Sequence, residues 1–282
     1  APLIEQRKRG RIDSKAGSDM LRSMSDFGVR KVNFVGGEPM LNPNLEDWIV
    51  DAKSIGMTTS IVSNGTGMSK EWLTRMRSHL DWIGLSIDAS EDEIHARMGR
   101  CTKSELRTGE SSHLRRCIEV WENARELGYG LKLNTVVTSV NVHDDMSDLV
   151  SWLRPHRWKI FRVLRIQGEN EGRVENLLIS GDDFSIYVGR HRRNLMSEND
   201  IDIVAEDNSD MLGTYAMVDP QGLVYTNMNG KYEYSKRSAI EVGFEQAWME
   251  VCAGFSEIGF SRRGGLWKWR KGPSGGFQLP LV

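Results

Sequence analysis

Between residues 18 and 164 helix-type and strand-type patterns alternate, and this alternation constrains the fold more than any other property of the chain. Met20, Leu21, Met24 and Phe27 recur at helical spacing, with Ser18 as the predicted N-cap and Gly28 as the stop. A strand-like run, 31–35, follows. Residues 45–55 read as a helix closed by Gly56, and 58–63 as a strand ended by Asn64-Gly65. The pair recurs as 70–80 with 82–87, 113–127 with 131–137, and 143–153 with 158–164. Strands joined by helices run parallel with right-handed crossovers, so the expected class is α/β, as an open doubly wound sheet or a full or partial barrel. From about Ile201 the pattern changes. Segments 215–218 and 223–227, around Asp219-Pro220-Gln221-Gly222, read as a hairpin, and 244–252 as a helix. Residues 1–200 are therefore expected to form the core and 201–282 an extension covering it.

Side chains alternate faces along a strand, which separates an ordinary sheet core from a polar interior. Lys31 and Asn33 share one face of their strand, as do Lys132 and Asn134, and Arg157 and Lys159. Val32, Phe34, Leu133, Trp158 and Ile160 take the other. A packed barrel carries branched aliphatics inside, so three such polar faces point to a lumen holding water or an anion. Unpaired buried cations are costly, and four of them imply a multiply charged anionic ligand such as a triphosphate. The competing reading is that one or two of these strands are edges with a solvated face.

Bulk composition narrows the partners. With 37 basic and 39 acidic side chains the net charge is -2, which gives no global attraction to nucleic acid or anionic membrane. No apolar run approaches the roughly 20 residues of a membrane span, and Arg7, Lys8, Arg9 and Arg11 stand where a signal peptide is apolar. A cytoplasmic protein is expected. Cys101, Cys117 and Cys252 are odd in number and far apart, which suits reduced thiols, and their spacing fits no zinc or iron-sulfur pattern.

Directly behind the first strand stands Gly36-Gly37-Glu38-Pro39. Two glycines let a polar ligand head lie against the backbone, and the next residue offers a carboxylate for an ammonium group. The same four residues also serve as plain strand punctuation.

Together these segments carry a resemblance. Lys31-Val-Asn-Phe-Val-Gly-Gly-Glu-Pro39, Ser60-Ile-Val-Ser-Asn-Gly65, Leu85-Ser86-Ile-Asp88, Gly99-Arg100, Lys132-Leu-Asn134, Arg157-Trp-Lys-Ile-Phe161, Gly168-Glu-Asn170, Ser209, Tyr215 and Arg263-Gly264-Gly265 resemble the viperin family in order and spacing. That resemblance implies a partial (βα)6 TIM-like barrel of the radical SAM type. It also implies a lyase that uses reductively cleaved S-adenosylmethionine to take a ribose hydrogen from a nucleoside triphosphate, CTP favoured. Loss of water would leave a 3′-deoxy-3′,4′-didehydro nucleotide, an antiviral RNA chain terminator.

By the same resemblance Gly36, Gly37, Glu38, Ser86 and Asn134 would hold the cofactor. Lys31, Arg100, Lys132, Arg157 and Lys159 would surround the triphosphate, with Asn33 near the sugar. Tyr215 would face the ribose as a catalytic hydrogen donor. Arg263 and Gly264 would fold over the terminal phosphate, glycine N–H groups forming an anion nest. Packing, for Ser86 and Tyr215, and a solvated basic loop, for Arg100 and Arg263, are the plainer readings. Iron-sulfur loading machinery and a reductant are implied partners. The family's three cluster cysteines are not in this sequence, and alignment back from Gly36 places them, with a first strand, upstream of Ala1. Val35 replaces a small hydroxyl residue of the family. A radical enzyme with another substrate, or a cluster-less nucleotide binder, are the alternatives.

Overall fold

Six strands lie side by side in the order in which the chain makes them. The structure is a computed structural model that describes residues 12–102, 104–198 and 200–265. In it β1 (Lys31–Phe34), β2 (Thr58–Ser63), β3 (Trp82–Ser86), β4 (Gly130–Val137), β5 (Arg157–Arg162) and β6 (Asp202–Glu206) form one sheet of order β1-β2-β3-β4-β5-β6. Every neighbouring pair is parallel. A doubly wound sheet reverses its order part-way; a sheet that never reverses has all its helices on one face and curls into a barrel wall. This decides between the two architectures that alternation alone left open.

The boundary drawn at residue 200 falls one strand early. β6 pairs with β5 from Arg157↔Asp202 to Phe161↔Glu206, so the wall extends into the segment assigned to the extension. Its pattern was hard to read because two of its inner positions, Asp202 and Glu206, are acids, around Val204, in a short strand beyond the point where the helix-strand alternation stops.

Outside the wall, Ile61, Ile83, Leu85, Leu131, Leu133, Trp158 and Ile160 enter one continuous core with the covering helices. Trp121 of the His113–Glu126 helix and Tyr187 of the Gly181–Asn194 helix are fully buried there. Trp158 also donates to Thr135 Oγ1 at 2.9 Å and stands edge-on to His191 at 5.2 Å. It thereby fixes the strand that carries Arg157 and Lys159. The Ser14–Phe27 helix starts earlier than Ser18: Asp13 caps it by accepting from Ala16 N–H at 2.8 Å, and Gly28 ends it at φ 105°. Ser18 lies inside, its hydroxyl held by the Ser14 carbonyl and the Asp51 carboxylate.

Beyond β6 an antiparallel sheet of β7 (Met217–Val218), β8 (Leu223–Thr226) and β9 (Glu233–Ser238) contains the expected hairpin plus a third strand. Val224, Phe244, Ala247 and Val251 form its core with Met20 and Met24 of the first helix, and Phe244 N–H donates to Ser23 Oγ at 2.8 Å. The extension leaves the wall at β6 and returns to the helix before β1, which joins the two free sides of the sheet. Replacing Trp158 by Ala should lower unfolding stability by about 3–5 kcal/mol through the cavity it leaves under β5. Denaturant titration reads this as a lower midpoint at unchanged slope.

Candidate functional site

Parallel register carries the parity of one strand to the next. Asn33 lies beside Ser60, Ser60 beside Trp82, Gly84 beside Lys132, Ser86 beside Asn134, Lys132 beside Arg157, and Asn134 beside Lys159. Asp202, Val204 and Glu206 complete the row. The inner face is therefore polar across nearly its whole width. At its N-terminal end Trp82 is buried and stands edge-on to His156.

Lys31, Lys132, Arg157 and Lys159 converge on this face as the strand parity predicts. Lys132 is buried and extends to Ser60 Oγ on β2, 2.6 Å away. Gly84 leaves the path clear, for a Cβ there would stand 3.4 Å from Lys132 Cε and 3.1 Å from Val62 Cγ2. Burial, with repulsion from Lys31, Lys159 and Arg157, holds the Lys132 amine well below the usual lysine range. Lys31 is lowered to about 8 by burial and by the charges of Arg157 and Lys159. In a flat sheet β1 and β5 would be roughly 19 Å apart, so this mutual repulsion reports the curl that brings them face to face. Lys159 is likewise pushed down to about 8, chiefly by burial.

One fully buried carboxylate offsets part of this charge. Glu206 is fully buried, pairs with the Lys159 ammonium and accepts the Tyr215 phenolic hydrogen at 2.6 Å. The Arg263 guanidinium lies 3.7 Å from it and stacks over the Tyr215 ring, 3.8 Å from the ring centroid. Tyr215 and Arg263, predicted from opposite ends of the extension, thus meet beside Lys159. Glu206 was missed together with its strand; an acid at an inner-parity position opposite the cations was the available signal.

The anion nest expected at Arg263-Gly264-Gly265 is not what forms. These residues close the Glu257–Arg262 helix: Gly264 N–H donates to Ser261 O at 3.0 Å and Gly265 N–H to Phe260 O at 2.9 Å, with Gly264 at φ 78°. This is the paired helix-ending motif that glycine favours, and it engages the N–H groups a nest would need. The carbonyls face inward instead. Arg157 donates to Gly264 O at 3.2 Å and to Arg263 O at 3.4 Å, and it pairs with Asp202 at 3.3 Å.

At the C-terminal rim of the strands the Gly36-Gly37 turn is exposed, and a Cβ on Gly36, whose φ is 139°, would meet nothing within 4 Å. Glu38 pins the turn, accepting from Ser63 Oγ at 2.8 Å, Asn64 N–H at 2.9 Å and Met40 N–H at 3.1 Å. Its carboxylate is thus a structural clasp, with part of its acceptor capacity left over. Two strands along, Ser86 is held through its carbonyl by His113 Nε2 at 2.7 Å. Burial lowers that imidazole to about 4, so it is neutral at pH 7. Arg100 is bound through Nε to the buried Asp88 at 2.7 Å.

Residues 10–153 match the radical SAM superfamily. An S-adenosylmethionine-dependent nucleotide dehydratase of Flammeovirga pacifica is 38% identical over 93% of this chain and 86% of its own length. The chain belongs to the viperin family of radical S-adenosylmethionine enzymes. A second viperin-family relative, the S-adenosylmethionine-dependent nucleotide dehydratase of Danio rerio, is 31% identical over 95% of this chain and 70% of its own. Among solved structures, anSMEcpe with bound AdoMet superposes with a TM-score of 0.66 at 15% identity, over 88% of this chain and 74% of that one. SuiB of Streptococcus suis bound to S-adenosylmethionine gives 0.64 at 13%, over 91% and 62%. Both show the same partial-barrel fold.

The superfamily uses S-adenosylmethionine and a [4Fe-4S] cluster. The rim fits the first: Asn134 Oδ1 is buried without a hydrogen-bond partner among the described residues, next to Ser86, and the glycine turn at the end of β1 is open. For the second, no group of three or more His, Cys, Asp or Glu gathers among the described residues, and Cys101, Cys117 and Cys252 are free. No described helix is long and apolar enough to cross a membrane.

A lysine binds an anion in its protonated form, so affinity for inorganic tripolyphosphate should be higher at pH 7 than at pH 9. It should fall as pH rises through the Lys31 and Lys159 values of about 8. Calorimetry at a series of pH values reads the decline.

Proposed function

We propose that this viperin-family enzyme binds a nucleoside triphosphate, CTP favoured, on the inner face of its barrel and dehydrates the ribose to a 3′-deoxy-3′,4′-didehydro nucleotide. The observation that carries this reading is the convergence of Lys31, Lys132, Arg157, Lys159 and Arg263 on one enclosed face with a single fully buried carboxylate, Glu206. Buried like charges at this density are costly alone and become favourable around a polyanion. A triphosphate would restore full protonation to Lys132 and compete with the Gly264 and Arg263 carbonyls for Arg157.

The chemistry S-adenosylmethionine supplies in such enzymes, once reduced, is hydrogen abstraction by its 5′-deoxyadenosyl group. Ser86, Asn134 and the Gly36-Gly37 turn would hold it at the rim, with Glu38 keeping the turn in place. Asn33 lies on the inner face near that rim and would approach the sugar. Asn134 and Lys159 are register partners, so the cofactor and phosphate sites share one stretch of wall. Holding both reactants on rigid adjacent strands supplies the close approach that hydrogen transfer requires. Tyr215, beside Lys159, would face the ribose. Arg100 would act at the rim through Asp88.

Formation of an antiviral chain terminator, delivery of electrons by a separate reductant and cluster loading by iron-sulfur machinery belong to the same reading. Three free cysteines fit a reducing compartment such as the cytosol. Full-length protein reconstituted without oxygen, with iron and sulfide, should release 5′-deoxyadenosine and a didehydro nucleotide fastest with CTP. Equal rates with all four triphosphates would remove the base preference, and no nucleotide product while S-adenosylmethionine still binds would remove the substrate class. Lys132→Met should weaken CTP binding by about 1.5–3 kcal/mol in calorimetry, since one charge-assisted contact is lost.

A further inference from the structure

Glu206 receives groups from three separate parts of the chain. Lys159 comes from β5, Tyr215 from the segment after β6, and Arg263 from the turn that ends the Glu257–Arg262 helix. We propose that Glu206 is the positioning residue of the substrate site: its carboxylate sets the Tyr215 phenol and the Lys159 ammonium against each other and fastens the Arg263 turn over both. What the site binds rests on the nucleotide reading above; the positioning is a property of the chain itself.

Two observations carry the assignment. The phenol has one hydrogen and directs it at Glu206, 2.6 Å away, so Tyr215 can turn its hydrogen to another acceptor only by releasing this carboxylate. The ring is held from its face as well, by Arg263 at 3.8 Å. Rotation of the side chain is thus limited by Glu206 and by Arg263, which Glu206 also engages. The second observation is charge. Lys159 is faced by Arg157 on its own strand, by Arg263 from the helix turn, and by Lys31 and Lys132 across the lumen. Glu206 is the fully buried acid that opposes them; Asp202, paired with Arg157, has 45% of its side chain exposed. Burial and the neighbouring cations drive Lys159 towards its neutral form, and the carboxylate is what holds it at about 8.

The test uses the full chain with selectively labelled lysine, following the Lys159 amine by NMR across pH in wild type, E206Q and E206D. Loss of the charge in E206Q should move the Lys159 titration down by about one to three units. E206D should leave it near wild type. E206Q should still bind CTP near pH 6, because the bound phosphates draw the Lys159 amine back to its protonated form and a negative charge beside them is gone. Turnover of the reconstituted enzyme should nevertheless fall about a hundredfold in E206Q, and clearly in E206D, whose carboxylate no longer reaches the phenol. An unmoved Lys159 titration in folded E206Q overturns the proposal. So does parallel loss of affinity, turnover and thermal midpoint, which marks a role in stability alone, and so does full turnover in E206D. If wild type fails to bind CTP while the titration still moves, the nucleotide reading falls and the positioning role stands.

Discussion

Repulsion among buried like charges is the constraint to which this structure answers. Lys31, Lys132, Arg157 and Lys159 could each have been left in solvent at little cost, yet the curl of the sheet turns all four towards one enclosed space. Part of the strain is relieved within the protein. Lys132 reaches a hydroxyl, Arg157 two carbonyls and Asp202, and Lys159 the carboxylate of Glu206. The rest appears as lowered proton affinity in the lysines, a stored demand for negative charge. A folded chain keeps such an arrangement only where the outer face of the same strands is well packed, and here it is, from Ile61 through Trp158.

That division of labour runs through every strand. One parity builds the core against the helices, and the other builds the site, so the site is as rigid as the core. The extension adds what a partial barrel lacks. By leaving from β6 and packing its second core on the helix that precedes β1, it spans the open side of the wall and delivers Tyr215 and Arg263 to the cation cluster. The turn at Gly264 illustrates the logic: a helix end is closed by its own N–H groups, and the carbonyls left over hold Arg157.

Much of this was legible beforehand, for identifiable reasons. Period-two alternation placed Lys31, Asn33, Lys132, Asn134, Arg157 and Lys159 on one face, because strand geometry allows nothing else. β6 escaped notice although Ile203 and Ala205 alternate with Asp202 and Glu206, because it is five residues long and no clear helix-strand alternation leads into it, and Glu206 was lost with it. The Ser14–Phe27 helix was started too late, at a serine inside it, since Asp13 and Ser18 are equally good caps on paper. The clasp that Glu38 also makes on Ser63 and Asn64 was not legible, for it depends on how closely β1 and β2 end together.

By itself the order of residues determined the α/β class, the parallel strands and the sidedness of each, because these follow from local periodicity and the handedness of crossovers. Which of the possible architectures formed, which cations meet, and that a single buried acid gathers a lysine, a tyrosine and an arginine were decided only in three dimensions. Curvature is a property of the whole sheet, and contacts between β1 and β5, or between β6 and residue 263, depend on separations that no local pattern encodes.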